Sequence, residues 1–162
     1  MGYAPADLRY NRDMSDMPTP NLSGFTLEQI ASDCVGPLHP DAIIGIGLFN
    51  QGQYYEAHEA LETAWRADRG PVRELYRGIL QVGAGYLKIQ RGNYGGAMKF
   101  FQSCRKWLNL YPDTCRGINV GKLCQDFQHV EAELMRLGPE HVLLFDQSLF
   151  QPVEFSILDQ AT

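Results

Sequence analysis

One spacing pattern constrains this chain more than any other. Gly52-x-Tyr54-x-x-Ala57-x-x-x-Leu61-x-x-Ala64 recurs as Gly92-x-Tyr94-x-x-Ala97-x-x-x-Phe101-x-x-Cys104, every matched position displaced by 40. The apolar positions fall at intervals of three and four, the period of an amphipathic helix. A glycine before each run turns the chain between antiparallel helices. The tyrosine wedges at the start of the second helix, the alanine permits close approach, and the large apolar residue fills the groove. The expected building block is an α-hairpin, used twice.

The rest of the chain agrees. Thr26 and Gln29 have capping-box spacing, which predicts a short helix near 26–33. Pro40 suits a helix start, with an apolar face of Ile43, Ile44, Gly47 and Leu48 to about Asn50. Further helices are expected at about 53–67, 71–91, 94–109 and 120–137. Gly92 fits a left-handed stop and Asn93 the cap that follows. Asn-Gly hairpins and alternating β-branched runs are absent. The reading is an all-α, compact bundle of about five helices built from antiparallel hairpins. The hairpins resemble the tetratricopeptide type, whose period is shorter, and two are too few for an open solenoid. Residues 1–38 read as an irregular arm with the short helix, 39–138 as the bundle, and 139–162 as an apolar tail packing on it.

Composition narrows the function classes. The 162 residues are 44% hydrophobic and 20% charged, a globular balance. Fourteen basic against 19 acidic residues give a net charge of -5, which argues against general nucleic-acid or anionic-membrane partners. No run is long enough to span a bilayer, and the start lacks an apolar leader core, so a cytoplasmic protein is expected. The four cysteines lack Cys-x-x-Cys pairing. They are expected as free thiols in a reducing compartment, with Cys34 the most exposed and Cys104 and Cys124 as small core residues.

The repeat also separates scaffold from surplus. Where the later hairpin has Met98, Lys99 and Gln102, the earlier one has His58, Glu59 and Glu62. On a wheel of about 100° per residue, Tyr54, Leu61 and Trp65 share a line, with His58 about 40° and Glu62 about 80° round from it. Glu59 lies farther round, at about 140°. A histidine and a carboxylate at i,i+4 beside an apolar stripe need a partner, because buried charge is costly unless paired. Three arrangements meet that need. Glu62 can orient His58 structurally, with a neighbouring helix satisfying both. The two can bind zinc, iron or manganese with further ligands. Or they can act as a general base and its orienting acid. The zincin pattern fails, because Glu62 stands where the second histidine belongs. A Glu-x-x-His partner helix of the ferritin-like kind is also missing.

His39, His129 and His141 have no ligand spacing to one another and read as surface histidines. Gly78 and Gly85, seven apart, call for close helix approach or room for a ligand. Gln81 could reach the His58 face, or stand as a solvated residue beside Arg77 and Lys88.

Phe49-Asn50-x-Gly52-x-Tyr54-Tyr55-Glu56-Ala57-His58-Glu59-x-Leu61-Glu62-x-x-Trp65-Arg66 closely resembles the signature of the family known as domain of unknown function 309. Tyr76-x-Gly78-Ile79-Leu80-Gln81-Val82 and Arg91-Gly92-Asn93-x-x-Gly96-Ala97 resemble its next two blocks, so that the likeness covers about residues 43–110. The resemblance implies a small all-α bundle, mostly bacterial, described as a predicted metal-dependent hydrolase without an agreed substrate. On this sequence that label rests on His58 and Glu62 as metal ligands and Glu59 as general base. Tyr54, Trp65, Tyr76 and Gln81 would form the pocket around them. The rival reading is a non-enzymatic interaction module whose hairpin groove holds a peptide, with a structural His58–Glu62 pair.

Overall fold

The structure, a computed structural model, describes residues 24–157. The expected N-terminal arm falls mostly on residues outside that range. Helix α1 spans Leu27–Asp33 and opens with the capping box of Thr26 and Gln29. Helices α2 (Pro40–Asn50), α3 (Tyr54–Ala67), α4 (Arg73–Gln90), α5 (Tyr94–Leu108) and α6 (Val120–Leu137) follow. Their bounds lie within two residues of those expected from periodicity, and the all-α reading holds.

The 40-residue repeat is a repeat of backbone geometry. Gly52 and Gly92 both adopt positive φ, 78° and 73°, a conformation that costs glycine little. After each, the next amide reaches back to an equivalent carbonyl: Gln53 N to Leu48 O at 2.9 Å and Asn93 N to Lys88 O at 2.8 Å. The close approach repeats as well. A Cβ on Gly45 would stand 2.6 Å from Leu61 Cγ, and one on Gly85 would stand 2.6 Å from Phe101 Cε1. Gly78 faces Leu108 in the same way, at 2.6 Å. The α4 glycines therefore serve helix packing, not a ligand.

Helix α4 packs against α3 on one side and α5 on the other. Every residue from Leu75 to Ile89 is buried. Of the two readings open for Gln81, this removes the solvated one: Gln81 is 0% exposed, Arg77 4% and Lys88 1%. The central place of α4 is the reason, since a helix covered on all sides has no water-facing flank.

Two further departures concern the segment after α5. Thr114–Cys115 (β1) and Ile118–Asn119 (β2) pair antiparallel around Arg116 and Gly117, both at positive φ. Cys115 is bonded to Cys34 (S–S 2.14 Å), 81 residues earlier. The free-thiol expectation therefore fails for this pair, and Cys34 is buried, not exposed. Arg116 makes the meeting possible. Its backbone N donates to Cys34 O and its Nε to Asp33 O, both at 2.6 Å, while Nη2 pairs with Asp33 Oδ1 at 2.6 Å. Cys104 and Cys124 are free, the first fully buried and the second half-buried.

Beyond Gly138, 3-10 turns carry Val142, Phe145 and Val153 into the core. Asn50 clasps the Val153 backbone by two hydrogen bonds, 2.9 and 2.7 Å. Phe150 stacks on Tyr86, ring centres 4.4 Å apart.

Candidate functional site

Helix α3 carries the polar cluster because its 3.6-residue period puts His58 and Glu62 one turn apart on the side that becomes interior. His58 is 1% exposed and Glu62 8%, while Glu59 is half-buried. One donor atom from each of His58, Glu59 and Glu62 lies within 4.8 Å of the other two. Ligands bonded to one ion at about 2.0–2.2 Å stand at most about 4.4 Å apart. The three donors thus lie close to the spacing that groups around one ion have. Glu62 Oε2 also faces Arg66 Nη2 at 3.6 Å, one turn on. Thr63 Oγ1 donates to the Glu59 carbonyl at 3.0 Å, inside the helix.

The other candidate residues have their own partners. Tyr54 is an aromatic core residue, edge-on to Phe49, Tyr86 and Phe150 with ring centres 5.2, 5.5 and 6.0 Å away. Burial pushes its phenol up to about 12. The Tyr76 hydroxyl accepts from His39 N at 3.1 Å and so ties the start of α2 to α4. Burial raises that phenol too. Trp65 donates Nε1 to Glu74 Oε1 at 3.1 Å, and its ring lies 4.5 Å from the Arg73 guanidinium and 4.6 Å from that of Arg77. Gln81 is buried on α4, the helix that packs against α3. His39 caps α2, its Nδ1 accepting from Asp41 N at 3.0 Å. His129 and His141 are exposed.

The sequence groups a polar stripe on α4 without revealing that it is buried. Arg77, Gln81 and Lys88 fall within about 40° of one line on the helix, and all three are buried. Their spacing was visible in the sequence. The signal was masked because polar side chains on a helix are ordinarily read as its wet face.

The segment 43–100 matches the family model described as domain of unknown function (DUF309), the family that the Phe49–Arg66 signature resembles. An uncharacterized protein of Aquifex aeolicus (strain VF5) is 28% identical over 116 residues, 64% of this chain. The alignment spans 34% of that protein, so this chain corresponds to about a third of its relative's length. No solved structure matches. No described helix is long and apolar enough to cross a membrane.

Proposed function

We propose that the protein is a metal-dependent hydrolase in which His58 and Glu62 hold a divalent cation and Glu59 is the general base. The observation that carries this reading is the gathering of the three donors within 4.8 Å at a largely buried place on α3. The donor set fits: one imidazole with carboxylates suits zinc, iron or manganese. A cation bound there would lower the pKa of water and polarise the bond to be cleaved. The chain's own residues do the rest. Neutral His58 offers a ring lone pair, and the helix holds it beside Glu62 without a loop. Glu59 keeps partial access to solvent, which a proton acceptor needs in order to release its proton. Gln81, on the neighbouring helix, can hydrogen-bond without adding charge.

A second reading is favoured by the depth of His58. At 1% exposure it suits a structural His58–Glu62 pair in a non-enzymatic hairpin module. Elemental analysis of natively purified protein separates the two. The hydrolase reading expects bound metal, stabilisation by added zinc, manganese or iron(II), and loss of both in His58→Ala and Glu62→Ala. Glu59→Gln should keep the metal. A metal-free wild type that gains no stability from any of the three ions would refute the reading.

A further inference from the structure

The chain has two tryptophans, and both lie against the same cation. The Arg77 guanidinium carbon is 4.0 Å from the Trp107 ring centre and 4.6 Å from that of Trp65. Arg77 Nε lies 2.9 Å from Glu74 Oε1, the same oxygen that accepts from Trp65 Nε1. Among the described residues, no acceptor bonds Arg77 Nη1 or Trp107 Nε1, although both atoms are buried. Leaving such donors unmade is costly, most of all on a charged group. Burial draws the Arg77 pKa down to about 10, with Glu74 opposing the shift and Arg73 adding to it. At neutral pH the group is still a cation. A buried guanidinium stacked on an indole, each with a spare N–H, is built to meet a negatively charged oxygen.

A hollow of about 220 Å3 lies beside this cluster, lined by Ile30, Arg69, Arg73, Glu74, Leu110 and Tyr111 among others, with Arg77 and Trp107 behind that lining and not part of it. Arg73 and Glu74 belong to both, and Tyr111 lies one turn beyond Trp107. Two further carboxylates flank the nearby Gly70, and both have partners. Asp33 pairs with Arg116 and accepts from Val72 N, while Asp68 accepts from Gly70 N. Arg69 and Arg73 line the hollow together with Glu74, whose carboxylate pairs with Arg77.

We infer that Arg77 and Trp107 form an oxyanion-binding subsite, entered through this hollow, that takes the carboxylate or phosphate group of a small acidic ligand. The subsite is separate from the His58 cluster and does not depend on a metal there. Planar carboxylate and tetrahedral phosphate share the chemistry of recognition, and the probes distinguish them. Tryptophan emission of the full chain is titrated with inorganic phosphate and, separately, with acetate, at an ionic strength fixed with chloride. A saturable change with phosphate alone assigns a phosphate subsite, with acetate alone a carboxylate subsite, and with both a general oxyanion subsite. Arg77→Lys keeps the charge but loses the planar fork, and should weaken binding about tenfold or more. Trp107→Phe keeps the stacking and removes the N–H, and should weaken it by about fivefold. Trp65 still reports in that variant if Arg77→Lys does not fold. A wild type that responds to neither anion beyond the chloride control would overturn the proposal, as would unchanged affinity in the folded variants.

Discussion

Breaking the Cys34–Cys115 bond should lower global stability while leaving the native fold in place. Arg116 holds Asp33, Cys34 and Pro37 through four hydrogen bonds that do not involve sulfur. The folded state therefore keeps its clamp on reduction, and most of the loss comes from freeing the unfolded chain. For a sequence separation of 81, the chain-entropy relation gives about 4.5 kcal/mol at 25 °C. This is an upper bound, because α1 can peel away before the bundle unfolds; about 2–4 kcal/mol is the expected loss. The assay is urea unfolding followed by Trp65 and Trp107 emission, with and without a thiol reductant, alongside a Cys34→Ser/Cys115→Ser double variant. The midpoint should fall in both, and thiol titration of the unfolded, unreduced chain should find the two free cysteines, 104 and 124. Superimposable curves, or four titratable thiols, would refute the reasoning.

Glycine replacements should divide by sign. Gly85→Ala drives a methyl to 2.6 Å from the Phe101 ring and should destabilise by a net ~1–2 kcal/mol in thermal melts, overpacking outweighing helix propensity. Gly47→Ala, with nothing within 4 Å of its Cβ position, should instead stabilise by up to ~1 kcal/mol. In apo protein, His58→Ala should cost about 1–3 kcal/mol by chemical denaturation, and Glu62→Gln less, since it keeps an acceptor. Alkaline titration followed at the phenolate absorbance should show late, cooperative ionisation. Tyr54, Tyr86 and Tyr111 all have pKa values raised by burial, so the unfolded chain releases protons first. Stability is then retained below about pH 10 and lost as pH climbs through the raised values. Smooth titration of all tyrosines near pH 10 without unfolding would contradict this.

The elements of this fold were legible because each is specified locally. Pro40, Gly52, Gly92, Asn93 and Gly138 mark helix ends through their own backbone chemistry, and the structure finds them there. The Cys34–Cys115 pairing has no such local signature. It depends on a tight turn at Arg116 and a salt bridge to Asp33, which periodicity cannot register. Gly45 was passed over for a related reason. Inside Ile44-Gly45-Ile46-Gly47 it looks like a flexible spot, and its use against Leu61 emerges only once α2 and α3 cross. Within the candidate site, the pairing of His58 and Glu62 follows from helix spacing, whereas Glu59, about 100° round from His58, joins them only in the structure. The Arg77–Trp107 pairing joins two helices that meet through Gly78 and Leu108, which no spacing along one helix reveals.

The paired hairpins give this polypeptide an internal reference. Met98, Lys99 and Gln102 occupy on α5 the places that His58, Glu59 and Glu62 hold on α3, but in different surroundings. Met98 is half-buried, and Lys99 and Gln102 are exposed. Moving the donor triplet to the later hairpin would reproduce its chemistry in a wet setting. Moving the later triplet to the earlier hairpin would leave the dry setting without donors. Donor identity and desolvation, which change together in most comparisons between proteins, can be exchanged independently within this one chain.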